Sequence, residues 1–156
     1  MAQDMVRTGL PAVKMLTIPE GMYRSIIRHL ADALPNEGVG LLATTDGGEE
    51  WRATAFIPGT NIDRSPTRYT MEPAEVVAAL RRIDANGWRL GAIVHSHVAT
   101  PPTPSATDLR EAYYPDTLML IVGFGSGSAE PRLWRLGVGS GPGEPIEIAL
   151  VIEPGT

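Results

Sequence analysis

Apolar residues recur along this chain at two spacings, one of two residues and one of three to four, and their alternation predicts the elements in order. Val13 to Ile18 reads as a short strand, and Pro19 then suits the first turn of a helix. At about 3.6 residues per turn, Met22, Tyr23, Ile26, Ile27, Leu30, Ala33 and Leu34 fall on one arc, with Arg24, Arg28 and Asp32 opposite. That is an amphipathic helix packed on a sheet, and Pro35 ends it. Val39 to Thr44 is a compact apolar run with the character of a buried strand. The turn Thr45-Asp46-Gly47-Gly48 then leads to the second arm of a hairpin, Trp51 to Ile57.

From Pro58 to Thr70 the chain is polar and irregular. Pro73 opens a second helix whose predicted core stripe is Val76, Val77, Leu80 and Ile83, and Asn86-Gly87 stops it. Trp88 to Val94 forms a strand running directly into His95-Ser96-His97. The prolines between Val98 and Pro104 impose a loop, whose path the residues leave open. Ser105 to Tyr114 reads as a short helix, Thr117 to Gly123 as a buried strand, and Arg132 to Leu136 and Ile146 to Ile152 as two more. The order β-α-β-β-α-β-α-β-β-β gives a single mixed α/β domain, with a central sheet flanked by helices. It is expected to span residues 13–156, behind a disordered N-terminus over residues 1–12.

Composition narrows the function. At 156 residues the chain has room for one sizeable core. Thirteen basic against eighteen acidic residues give a net charge of -5, which argues against nucleic acid as the main partner. Cysteine is absent, so no zinc finger, thiolate nucleophile or iron–sulfur cluster can be built. No apolar run approaches the roughly 20 residues a membrane span requires, and the first residues lack the apolar core of a signal peptide. The expectation is a cytoplasmic protein with neither membrane nor nucleic-acid partner.

Only His29, His95 and His97 are available, too few for metallo-β-lactamase or amidohydrolase sites, and the HExxH helix of zincins is missing. What remains is a His-x-His pair completed by a carboxylate. On a strand, residues two apart project to the same face, so His95 and His97 can converge on one ion while Ser96 turns away. Asp108 follows, in the first turn of the helix capped by Ser105. Two imidazoles and a carboxylate fill three of zinc's four tetrahedral positions, leaving one for a reactive water whose pKa zinc lowers towards ~7. Each residue also has a plainer reading. Ser105 to Asp108 fits a helix capping box, a lone His-x-His is as often structural as metal-binding, and His29 suits packing at the helix edge better than ligation.

Together, however, His95-x-His97, seven intervening residues, Ser105, two residues and Asp108 resemble the metal signature of the JAMM (MPN-plus) metalloprotease family. Glu37, followed by Gly40-Leu41-Leu42 after the first helix, resembles the family's remaining element. Asn61 and the stretch Ser65 to Glu75 resemble the segment that joins the third strand to the second helix in short bacterial members. Val98 departs from the pattern, since many relatives have proline after the second histidine. The resemblance spans roughly Leu16 to Leu136.

It implies a curved central sheet of cytidine-deaminase-like architecture and one Zn2+ per chain on His95, His97 and Asp108. It also implies that Glu37 is the general base taking a proton from the metal-bound water, and that Ser105 stabilises the oxyanion. We add Ser96 as the residue that orients the metal-binding loop from behind its ligands. Members hydrolyse peptide or isopeptide bonds after the C-terminal Gly-Gly of ubiquitin or ubiquitin-like proteins. This chain lacks room for the insertions by which deubiquitinating members grip ubiquitin, and so resembles bacterial members acting on ubiquitin-like sulfur-carrier proteins. Whether it forms a homodimer is left open. Two other readings stand beside this one: a non-catalytic MPN scaffold, and a RadC-like DNA-associated protein. The complete ligand set disfavours the first, and His95-Ser96-His97-Val98 together with the acidic balance disfavours the second.

Overall fold

The computed structural model describes residues 12–45, 47–110, 116–136 and 144–155. The expected N-terminal disorder lies outside the described residues except at position 12, as does the continuation of the third helix to Tyr114. Among the described residues the order of elements follows the sequence expectation. The strands are β1 (Met15–Pro19), β2 (Val39–Thr44), β3 (Glu50–Gly59), β4 (Arg89–His97), β5 (Leu118–Gly123), β6 (Glu130–Arg135) and β7 (Ile146–Glu153). The helices are α1 (Glu20–Ala33), α2 (Pro73–Ala85) and α3 (Ala106–Arg110). None of the described helices is long and apolar enough to cross a membrane.

The sheet runs β1-β3-β2-β4-β5-β6-β7 and curves until it closes, because β1 pairs in parallel with both β3 and β7. Successive side chains on a strand face opposite ways, and β2 uses both faces. Leu42 joins the main core with Leu16, Ile26, Leu30, Val94, Leu120 and Leu133. Leu41 and Ala43 point the other way, into two smaller clusters that α2 covers with Ala79 and Ile83. With α1 on one side and α2 on the other, every residue of β2 is buried, which explains why its sequence is apolar throughout and not alternating.

Two helix positions differ from the wheel. Leu34 lies outside α1 and is 39% exposed, because the residue before Pro35 is driven into an extended conformation (ψ 140) that carries its side chain off the apolar arc. Val77 is 49% exposed, since the buried stripe of α2 runs through Val76, Ala79, Leu80 and Ile83, and Val77 lies a full step of the wheel to its side. The small Ala79 is buried in one cluster with Val39 and Leu41 of β2. The end of α2 behaves as expected. Gly87 adopts φ 69, while Trp88 N–H donates to Ile83 O and Gly87 N–H to Asp84 O, a Schellman closure.

Candidate metal centre and active site

β4 delivers both histidines. Its parallel pairing with β5 sets His95 beside Ile121 and His97 beside Gly123, and both rings emerge on one face, buried. Asp108 comes from α3. Its Oδ1 lies 3.5 Å from His95 Nε2, and its Oδ2 lies 3.3 Å from His97 Nε2. One ligand atom from each residue falls within 4.8 Å of the others. Zinc bonds of about 2.0–2.2 Å at tetrahedral angles place ligand atoms about 3.3–3.6 Å apart, so the spacing in this cluster fits a single such ion. Among the described residues it is the one group of histidines and carboxylates with this geometry.

The environment prepares each ligand. His97 Nδ1 lies 2.7 Å from Pro101 O and donates its proton there, which leaves Nε2 facing Asp108. Burial works against a charged His97, but Asp108, the Pro101 carbonyl and the charge of Glu37 outweigh it and raise the ring's pKa. Burial likewise pushes the Asp108 carboxyl up. The hydrogen bond to His97, the nearby His95 and the Ser105 amide overcome that and hold it at about 2, so it is a carboxylate at neutral pH. His95 Nδ1 is buried with no hydrogen-bond partner, and its ring is stacked on Tyr69 at 4.5 Å between centroids. The Met119 sulfur approaches His95 Nε2 at 3.3 Å.

Ser105 and Asp108 form the capping box read from the sequence. Ser105 N–H donates to Asp108 Oδ2 at 2.8 Å, and Asp108 N–H donates to Ser105 Oγ at 3.0 Å. Because Oγ accepts in that bond, its own proton stays available for another acceptor, and Ser105 is exposed. The proline-rich loop reaches this cap by packing on β5, on β6 and on the turn between them. Trp134 Nε1 donates to Pro102 O at 2.9 Å, and a side chain at Gly125 would come within 2.6 Å of Ala99 O. Glycine is the residue that permits this approach.

Glu37 arrives by strand register. β2 and β4 are antiparallel with Val39 opposite His95, and the pairing continues through Ser96 N–H to Gly38 O at 3.2 Å. Directly opposed residues share a face and alternate residues repeat it, so Glu37, two before Val39, points to the side that holds both histidines. It is 5% exposed, with Oε1 3.6 Å from His95 Nδ1. Ser96 faces the other way, and its Oγ accepts from Gly38 N–H at 2.8 Å, tying the histidine strand to the residue after Glu37. Glu37, His95, His97, Ser105 and Asp108 therefore assemble on one side of β4, and Ser96 lies behind them. His29 stands apart, its Nε2 within 2.9 Å of Val39 O and 3.1 Å of Gly59 O, a half-buried brace between β2 and β3. Met119 and the carbonyl of Pro101 had no sequence signal, and Tyr69 only its place in the Ser65 to Glu75 stretch that resembles the family, since each reaches the site through tertiary packing.

The comparisons agree with this geometry. Residues 19–137 match the family model of prokaryotic homologs of the JAB domain. The CysO-cysteine peptidase of Mycobacterium tuberculosis is 31% identical over 137 residues, covering 87% of this chain and 92% of that one. The probable TtuB-protein conjugate cleaving protease of Thermus thermophilus is 37% identical over 99 residues, 63% of this chain and 64% of that one. The solution structure of a protein from Desulfitobacterium hafniense superposes with a TM-score of 0.79 at 28% identity, covering 90% of this chain and 94% of that one. With the match running through α1, the buried His95–His97–Asp108 cluster and β6, the chain belongs to the prokaryotic JAB-domain family.

Proposed function

We propose that this protein is a zinc-dependent peptidase that hydrolyses an amide bond after the C-terminal Gly-Gly tail of a ubiquitin-like, sulfur-carrier type protein. The observation that carries this reading is the buried cluster of His95, His97 and Asp108, with the Glu37 carboxylate against it. His95, His97 and Asp108 would hold one Zn2+ per chain, leaving a position for water and substrate. When bound, the metal supplies an acidified water and polarises the scissile carbonyl. Glu37 accepts the proton at its carboxylate and returns it to the departing amine. The Ser105 hydroxyl donates its free proton to the oxygen on which charge develops. Ser96 keeps the strand of the two histidines in register with Glu37.

The relatives support the substrate class, one being named a CysO-cysteine peptidase and another a TtuB-protein conjugate cleaving protease. The connections around the site are short, which suits an extended tail better than a large folded surface. We place the reaction in the cytoplasm, in a single catalytic domain spanning residues 13–156.

Glu37→Gln tests the mechanism. The amide keeps the shape of the side chain and cannot take the proton. Zinc content and melting temperature should stay near the parent while turnover of a Gly-Gly-extended carrier falls by roughly 10²–10⁴. Cleavage at nearly the parental rate, read by mass, would remove Glu37 from the reaction.

A further inference from the structure

We propose that Asn61 is a positioning residue that sets the place of the Glu37 carboxylate, an inference that rests on the reading of Glu37 as the base. Glu37 precedes β2, and the backbone groups that hold it come from the segment between β3 and α2. Its N–H donates to Ser65 O at 2.8 Å, and its carbonyl accepts from Asn61 Nδ2 at 2.9 Å. Asn61 Nδ2 donates its second proton to Arg68 O at 3.0 Å, while Oδ1 accepts from the N–H groups of Asp63 and Thr70, each at 3.0 Å. A side-chain amide offers two protons and two lone pairs, and here all four are engaged. One side chain thus closes the loop on itself and fastens it to Glu37.

The same loop carries Tyr69, whose ring is stacked on His95. Asn61 therefore fixes the distance between the base and a metal ligand through two arms of one segment. Alanine would remove all four bonds, including the half-buried one to the Glu37 carbonyl. Aspartate keeps the acceptors for Asp63 and Thr70 but sets a carboxylate oxygen against the carbonyls of Glu37 and Arg68. A base displaced by about 1 Å loses on the order of 10² in rate, so loosening this tie should appear in turnover.

The test is a double-mutant cycle on the zinc-loaded enzyme, with a ubiquitin-like carrier whose Gly-Gly tail is extended by a short peptide. Asn61→Asp removes the bonds to the Glu37 and Arg68 carbonyls while keeping the acceptor for Asp63 and Thr70, and Asn61→Ala, which removes all four, serves as the second variant. Both should lower kcat by about 10²-fold with zinc content unchanged. In a Glu37→Gln background the same substitutions should change kcat by about twofold or less, because residues acting as one unit are not additive. Thr70→Val removes only the loop's hydroxyl bond to Asp63 and should leave kcat near the parent. An equal loss in both backgrounds, or an equal loss from Thr70→Val, would show that Asn61 serves loop order and overturn the proposal while leaving the base reading intact. If Glu37→Gln itself turned over normally, the base reading would fail and this inference with it.

Discussion

A carboxylate taken out of water is costly unless it is compensated, and at Asp108 the compensation comes from the two histidine rings and the Ser105 amide. Those groups keep the side chain ionised and aimed, which is the state a metal ion needs. His97→Ala or Asp108→Ala should reduce zinc from about one per chain to a small fraction, measured by elemental analysis of purified protein. Full occupancy in both variants would locate the ion elsewhere. Ser105 has one role in the structure, the cap of α3, and a proposed one through its hydroxyl proton, and the two separate experimentally. Ser105→Ala should cost about 0.5–2 kcal/mol of stability from the lost cap. It should cost turnover far more, roughly 10²–10³-fold, if the hydroxyl meets the oxyanion. A variant that loses stability in that range yet keeps its rate would confine Ser105 to capping.

The arrangement of the elements decides how much each apolar residue matters. α2 covers the outer face of β2 and β3 through Ala79 and Ile83, so Ile83→Ala opens a cavity and should cost about 2–5 kcal/mol. Val77 belongs to the same helix and the same residue class but is half exposed, and Val77→Ala should stay within about 0.5 kcal/mol. Chemical denaturation of the two variants side by side checks the orientation of α2. Comparable losses would mean that the helix is rotated from the position described. The fully buried β2 has a related consequence for the site. Packed on both faces, it gives Glu37 a rigid neighbour in Val39, and His29 braces that residue from α1 by bridging the Val39 and Gly59 carbonyls.

At the scale of the molecule, seven strands among the described residues close into one sheet, and the candidate metal-binding histidines lie at the end of β4 with Asp108 on α3 beside them, outside the main apolar core. The fold therefore has its own source of stability. Removing metal with a chelator should abolish hydrolysis and leave the circular dichroism of the sheet largely intact, with activity returning when zinc is restored. Collapse of the spectrum on chelation would make the ion a structural element, as in small zinc domains with little apolar core.

Much of this was legible in the residues. Period-two and helical spacings located the elements, because each must bury one face and the pattern of burial is written locally. His95 and His97 declared a shared face through strand alternation, and the capping box of Ser105 and Asp108 was readable from four consecutive positions. Glu37 was legible only through family resemblance, since nothing local joins it to His95. The antiparallel register of β2 on β4 does that, and register depends on which strands pair. Leu34 and Val77 were misjudged for the same kind of reason. Apolar spacing gives the candidates for a helix's buried face, whereas the proline turn and the position of the sheet choose among them. Asn61 stood out only as part of the segment that resembles the family, with nothing local to show what it bonds. Its four bonds span residues 37–70, and only folding brings those backbone groups within reach of one side chain.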